Sequence, residues 1–279
     1  YSPIRAMSGQ VLKDIAKYPR IVSGINDKSL KAASAVLSLI VNQNIISIPD
    51  IKTAETVKLF ENTYRDVNIA LANELACLCE GLGIDFAGVR EAANTQPYCH
   101  LHIPGIGVGG HCIPVNPYFL VAAGAGEGVE LRLVQEARRR NDRMPRHTVS
   151  LVESALRDCG RTLGRSSIAV LGISYRANIK EARYSPSVEV IRMLHKRGAR
   201  VRVYDPYFTH DELKAMGYAS AESFERTVDG ANCLLITVAH DQFKSQKAKD
   251  LARLLRKPGC IVDAARILNP NEVRASNLV

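Results

Sequence analysis

Between positions 167 and 263, short apolar runs alternate with helix-length amphipathic stretches, and this alternation leaves few folds open. Residues 167–172 (SIAVLG), 200–204 (RVRVY), 233–238 and 260–263 read as strands, and 187–196, 223–228 and 246–255 as helices between them. Strands joined by helical crossovers pair in parallel, and a parallel sheet needs cover on both faces. The expectation is a doubly wound α/β domain of roughly 100 residues whose ligands sit at the carboxyl ends of its strands. That rule sets Tyr175-Arg176, Asp205-Pro206, Ala239-His240-Asp241 and the stretch from Asp263 to Arg266 along one rim. The loop after the first of these strands, Gly172-Ile173-Ser174-Tyr175-Arg176, lacks the GxGxxG spacing of a dinucleotide fingerprint, so no dinucleotide is expected there.

Upstream the pattern differs. Residues 20–24 and 44–48 read as short strands flanking a helix over 27–40 with Asp27 as its cap. Two strands and one helix bury too little surface to stand alone, so 1–50 is expected to be the end of a larger domain. From 52 to 81 a long helix is expected, with Val57, Tyr64, Val67, Leu71, Leu75, Leu78 and Leu82 at three- and four-residue steps. On it Lys58 and Asn62 are four apart, so an ammonium and a carboxamide share one face and can converge on one oxygen. A pair of solvated surface residues has the same spacing. A helix over 86–94 follows, then a glycine-rich loop, then a basic helix over 129–144 that Pro145 interrupts before a restart towards Leu163. The chain thus divides into 1–50, a central helical part 51–163, and the parallel α/β domain 164–279.

The loop carries the chemistry. Gly107, Gly109 and Gly110 crowd up to Cys112, with Pro114 and Pro117 beyond, so the backbone is bent and fixed around one thiol. This suits a nucleophile, with consecutive amides able to face an oxyanion. A tight turn around an unreactive cysteine has the same local sequence. His100, His102, His111 and Cys112 show no standard metal-ligand spacing, and no metal site is expected from them. The run Arg138-Arg139-Arg140 lacks interleaved aromatics, which argues for a solvated helix face and against nucleic acid. A formal charge of +9 favours small anionic partners. Seven scattered cysteines with no CxxC pair suit a reducing cytoplasm, and no apolar run reaches the ~20 residues of a membrane span.

The loop GVGGHCIPVNPYF (107–119), the helix stretch AETVKLFEN (54–62) with Tyr64-Arg65-Asp66-Val67-Asn68, and the distal segments Val170-Leu171-Gly172 and Glu181-Ala182-Arg183-Tyr184-Ser185-Pro186 resemble the UDP-glucose/GDP-mannose dehydrogenase family. The likeness runs in the family's order over nearly the whole chain and is greatest to the branch acting on UDP-N-acetyl-D-mannosamine. It implies a two-step NAD-dependent oxidation of a sugar primary alcohol to a uronate. Cys112 would form a thiohemiacetal and then a thioester, while Lys58 and Asn62 would steady the oxyanions and position water. By the same resemblance Gly107, Gly109 and Gly110 would admit the sugar and Arg176 would contact the nucleotide-sugar. Arg183 and Arg266 would lie near the cofactor, and the long helix would form a homodimer interface. The resemblance also implies that 1–50 is the end of the family's N-terminal NAD-binding Rossmann domain, whose glycine-rich loop is not among these residues.

Three positions depart from the family pattern. Asn116 stands where the family carries Asp four residues after the cysteine, and an amide cannot accept a proton from water. Pro3-Ile4-Arg5 replaces Pro-Glu-Arg, which leaves Arg5 without the adjacent carboxylate at the substrate edge. Tyr98 stands where an arginine reaches a partner subunit's site, and a phenol cannot clamp a phosphate bidentately. A nucleotide-sugar-binding module without oxidation activity is therefore the alternative reading.

Overall fold

The computed structural model describes residues 1–41, 44–276 and 278, which divide into two compact units, 1–67 with 115–135 and 68–114 with 136–279. The chain opens with α1 (Val11–Lys17), β1 (Arg20–Val22), α2 (Asp27–Ser38) and β2 (Ile45–Ser47). The long helix α3 (Ile51–Leu82) follows, then α4 (Phe86–Ala93), α5 (Asn116–Gly126) and α6 (Arg132–Asp158). The remainder alternates as β3 (Ser167–Leu171), α7 (Pro186–Lys196), β4 (Arg200–Tyr204), α8 (His210–Ala215), α9 (Phe224–Val228), β5 (Cys233–Ile236), α10 (Asp241–Lys244), α11 (Ala248–Leu254), β6 (Cys260–Asp263) and α12 (Pro270–Ala275).

In the first unit β1 and β2 pair in parallel, with Arg20 opposite Ile45, across the helix α2. Asn26, not Asp27, caps that helix. The Asn26 side chain accepts from the Ser29 amide at 2.9 Å, and the Ser29 hydroxyl accepts from the Asn26 amide at 3.1 Å. An asparagine one residue earlier satisfies the same orphan donors, which leaves Asp27 to the first turn, where its charge faces the positive end of the helix.

In the second unit four parallel strands run in the order β4-β3-β5-β6, the doubly wound arrangement that the alternation predicts. Side chains leave each strand on alternate faces. Ile168, Val170, Val201, Val203 and Leu235 enter a core with Val152 and Leu156 of α6 and Val190, Ile191 and Leu194 of α7. Ala169, Leu171, Leu234 and Ile236 enter the opposite one with Phe224, Val228, Phe243 and Leu251. Most of these residues are 0–1% exposed, so both faces of the sheet are closed. Among the described residues no helix is long and apolar enough to cross a membrane.

One proline reading needs correction. Pro145 lies inside α6, which runs unbroken through it, rather than ending one helix and permitting another. A helix-interior proline costs about 3 kcal/mol, and here the buried face formed by Met144, Val149, Val152 and Leu156 holds the helix together through it. Cys112 itself lies outside helix and strand, and Pro117 comes after it in the chain. It occupies the first turn of α5, where the missing N–H would have no intrahelical partner.

Candidate functional site

In the second unit the glycine loop is seated against the segment that follows β3. A Cβ on Gly109 would lie 2.7 Å from both Pro186 Cδ and the Tyr184 carbonyl oxygen, and one on Gly110 (φ +89°) 2.8 Å from the Tyr175 ring. Gly107 (φ +134°) would place a Cβ 3.2 Å from the Asn141 carbonyl oxygen. That carbonyl is the one Pro145, four residues on, has no N–H to reach. Packing alone therefore requires glycine at Gly109, while at Gly107 and Gly110 the positive φ adds to close neighbours in disfavouring a side chain.

His111 meets the edges of Tyr184 and Tyr175 at centroid distances of 5.7 and 6.5 Å, and its Nε2 lies 3.4 Å from Glu181 Oε2. The amide of Arg183, 2.8 Å from Glu181 Oε1, and His111 hold that carboxyl below its ordinary value against the opposing effect of burial. Arg183 itself is exposed and reaches Glu181 only at 4.0 Å. Beside this braced cluster Cys112 is exposed, the one exposed thiol among the described cysteines. Cys77 and Cys99 are half-buried, and Cys79, Cys159, Cys233 and Cys260 are buried.

The rim at the carboxyl ends of the strands forms as the sequence predicts, and a buried hydrogen-bonded Asp–His pair locks it. Asp205 Oδ2 accepts from the Ile173 amide (2.8 Å), the Ser174 amide (3.1 Å) and the Ser174 hydroxyl (3.2 Å) and faces His240 Nε2 at 3.1 Å. His240 Nδ1 accepts from the Asn178 amide at 3.0 Å, which puts the ring proton on Nε2, towards Asp205. Burial alone would raise the Asp205 carboxyl, but the His240 hydrogen bond and the backbone amides outweigh it and hold it low. Asn178 and Asp241 add two further hydrogen bonds, so the loops after β3, β4 and β5 form one rigid edge. The rim is legible in the sequence; this interlock is not, because its partners lie more than thirty residues apart.

Arg176 is half-buried on the same rim. Arg266 adopts φ +51° and pairs with Asp85 at 2.6 Å. Tyr98 is 90% exposed, free of a packing role. A cavity of about 430 Å³ opens in this unit, lined by Glu80, Ile106, His147, Ala264 and Arg266 among others. Cys112 and the three loop glycines do not line it.

In the first unit the amide of Asn62 donates to Asn116 Oδ1 at 2.5 Å. This unit thus brings together the helix asparagine and the residue at the family's aspartate position. One turn before Asn62, Lys58 is half-buried. Arg5 pairs with Glu61 at 2.8 Å and donates to the Pro19 carbonyl at 3.2 Å. Glu61 thus gives Arg5 the carboxylate partner that Ile4 does not, a pairing that no local spacing signals.

Comparison with known proteins gives the same picture. The model of the UDP-glucose/GDP-mannose dehydrogenase family's central domain matches residues 52–143, and that of its UDP binding domain matches 169–270. A UDP-N-acetyl-D-mannosamine dehydrogenase from Methanococcus maripaludis is 35% identical over 257 residues, covering 92% of this chain and 57% of that protein. The structure of a UDP-D-ManNAc dehydrogenase from Pyrococcus horikoshii superposes with a TM-score of 0.86 at 34% identity, over 96% of this chain and 61% of that one. An NDP-N-acetyl-D-galactosaminuronic acid dehydrogenase from Methanosarcina mazei does so with 0.89 at 30% identity, over 100% and 60%. The chain thus spans about 60% of the length of the relatives it matches.

Proposed function

Because the chain belongs to the UDP-glucose/GDP-mannose dehydrogenase family, we propose that it is the substrate-binding and covalent-catalysis portion of a nucleotide-sugar 6-dehydrogenase, of the type acting on UDP-N-acetyl-D-mannosamine or UDP-glucose. The observation that carries the proposal is the exposed thiol of Cys112 at the end of a loop braced by protein at every glycine. A nucleophile needs access together with a fixed approach, and this loop supplies both.

In the proposed chemistry the Cys112 sulfur adds to the aldehyde carbon of the oxidised sugar. The S–C bond forms, the carbonyl π pair moves to oxygen, and the thiol proton neutralises that oxygen. After the second oxidation water attacks the thioester carbon, the C–S bond breaks, and carboxylate and thiol are released. Lys58 and Asn62 stabilise the oxyanions, each donor of this kind lowering the barrier by about 3 kcal/mol. Asn62 has its amide on Asn116, so Asn116 orients a donor here and does not act as a base. Arg176, Tyr98 and Arg5, with Gly107, Gly109 and Gly110, are the proposed nucleotide-sugar contacts.

NAD is the proposed hydride acceptor, with Arg183 and Arg266 near it. The described residues do not build its site. β1 and β2 make only a two-stranded sheet. After β3, the loop Gly172-Ile173-Ser174-Tyr175-Arg176 lacks the GxGxxG spacing of a dinucleotide fingerprint. The proposal further places the protein in the cytoplasm, in polysaccharide precursor synthesis, as a homodimer through α3.

The test assays uronate formation from UDP-N-acetyl-D-mannosamine with NAD and a family NAD-binding domain supplied on the same or a second polypeptide. Calorimetric titration with UDP and GDP accompanies it. Uronate formation that Cys112→Ser abolishes, with UDP binding retained, supports the reading. Uronate formation undiminished in Cys112→Ser overturns the thioester route. UDP binding with no oxidation by the wild-type chain favours the binding-module alternative, which the amide at position 116 supports.

A further inference from the structure

Away from Cys112, the second unit gathers three metal-ligating side chains of three kinds. Cys77 and Glu80 lie three residues apart on α3, on the same face of the helix, and His147 reaches them from α6. His147 Nε2 is 3.4 Å from Cys77 Sγ and 2.8 Å from Glu80 Oε2, and all three donor atoms lie within 4.8 Å of one another. We propose that Cys77, Glu80 and His147 form a binding site for a divalent transition-metal ion of the zinc type.

The donor chemistry selects the ion. A thiolate, an imidazole and a carboxylate together suit the borderline-soft divalent ions, whereas magnesium and calcium take oxygen donors. The charges also close, since one thiolate, one carboxylate and one neutral imidazole balance a dication. With zinc–sulfur near 2.3 Å and zinc–nitrogen near 2.0–2.1 Å, a tetrahedral site puts sulfur and nitrogen roughly 3.5 Å apart. The sulfur and nitrogen already stand at that spacing. The carboxylate oxygen would have to withdraw by about half an ångström from the nitrogen, and Glu80 is exposed enough to move, its side chain being 44% accessible.

The resting arrangement shows what the ion replaces. The single nitrogen Nε2 faces both neighbours, so it is aimed at the point where a metal would sit. Burial keeps the Cys77 thiol above its ordinary value, although Arg140 draws it down, so sulfur holds its proton until a dication displaces it. Binding forms three bonds to the ion, releases the Cys77 proton to solvent and leaves the imidazole proton on Nδ1. Glu80 and His147 line the cavity of about 430 Å³, which gives a water molecule access to the fourth coordination position. The site couples α3 to α6 inside the second unit, and it uses none of the residues assigned to sugar oxidation.

The 279-residue chain, reduced and stripped of metal, is titrated with Co²⁺ and followed by absorption. The expected result is a thiolate-to-cobalt charge-transfer band that saturates at one equivalent and is displaced by Zn²⁺ but not by Mg²⁺. The band disappears in Cys77→Ser and persists in Cys112→Ser and Cys99→Ser. In His147→Asn and Glu80→Gln the band remains, with cobalt affinity reduced at least about 100-fold, since even an outer partner of a metal ligand is worth 10–100-fold. Circular dichroism of each metal-free variant separates loss of the site from loss of the fold, and the His147 and Glu80 variants carry the test if Cys77→Ser does not fold. No thiolate band in the wild type, a band that survives Cys77→Ser, or affinities unchanged in both other variants would each overturn the proposal.

Discussion

Two aspartates end strands of the same sheet, and their surroundings set them in opposite electrostatic states. Asp205 faces His240 and accepts from three backbone amides, so its carboxyl is held low. Burial dominates at Asp263 and raises it, although Oδ2 accepts from the Ile267 and Leu268 amides. Its Oδ1 is buried without a hydrogen-bond partner among the described residues. An unfolded aspartate titrates near ~3.9. The contribution of Asp205 is therefore complete above that value and is lost as pH falls through the lower folded pKa. Asp263 has the opposite sign, its ionised form costing stability above its raised pKa and the cost vanishing below ~3.9. Asp205→Asn should lose about 3 kcal/mol at pH 7, because the new amide faces donors and His240 loses its partner. That deficit should narrow as the pH is lowered towards 3. Asp263→Asn, which removes a costly charge, should stay within about 1 kcal/mol of wild type at pH 7. Urea midpoints at pH 7, 5 and 3 check both, and equal losses at pH 7 would contradict the contrast.

At the scale of elements, the loop that the sequence marks as catalytic is first of all a packing solution. Gly109 sits where a Cβ would meet a backbone carbonyl and a proline ring at 2.7 Å, neither of which can rotate away. Gly109→Ala should therefore destabilise the second unit by about 2 kcal/mol, lowering its thermal midpoint by several degrees, even with no sugar present. A glycine whose purpose is only to admit substrate would leave the midpoint of the free chain unchanged. The strands β3 and β5 were readable as compact apolar runs buried on both faces, and β4 by the alternation of buried valines with more exposed arginines. Helix α5 was not, since its start overlaps the Cys112 loop and its composition, NPYFLVAAGAG, has no clear apolar stripe. The continuity of α6 through Pro145 was hidden for another reason. Local chemistry predicts a break there, and only the buried face on both sides of the proline outweighs it. The site follows the same division. Cys112 stands out by its glycine-rich setting and Lys58 and Asn62 only through the family resemblance, whereas the Asn62–Asn116 and Arg5–Glu61 pairings exist only once the chain has folded.

For the molecule as a whole, the proposed homodimer rests on one exposed face of α3. Phe60, Tyr64, Leu71, Leu78 and Leu82 are 61, 58, 47, 57 and 61% exposed. Their spacings of four, seven, seven and four residues keep them within a ~40° arc at 100° per residue, a continuous apolar seam along one helix. Single exposed hydrophobics are ordinary on a monomer, but an aligned row over more than six turns marks a surface to be covered. A helix seam of this kind is self-complementary across a two-fold axis, which fits the proposed homodimer. Lysine and arginine exceed acidic residues by nine, so two copies repel at long range, and the apolar contact has to overcome that repulsion. Two consequences separate this account from an assembly held by ion pairs. Raising the salt concentration should tighten the dimer, because screening removes the repulsion while leaving the apolar seam intact. Leu71→Asp combined with Leu78→Asp should weaken it by more than about 100-fold, as buried charge at the centre of an interface costs several kcal/mol. Sedimentation velocity at two ionic strengths, with circular dichroism to confirm that the double variant keeps its helix content, measures both. A wild-type chain that is monomeric at micromolar concentration, or a dimer that salt dissociates, would show that α3 is covered by something other than its own copy.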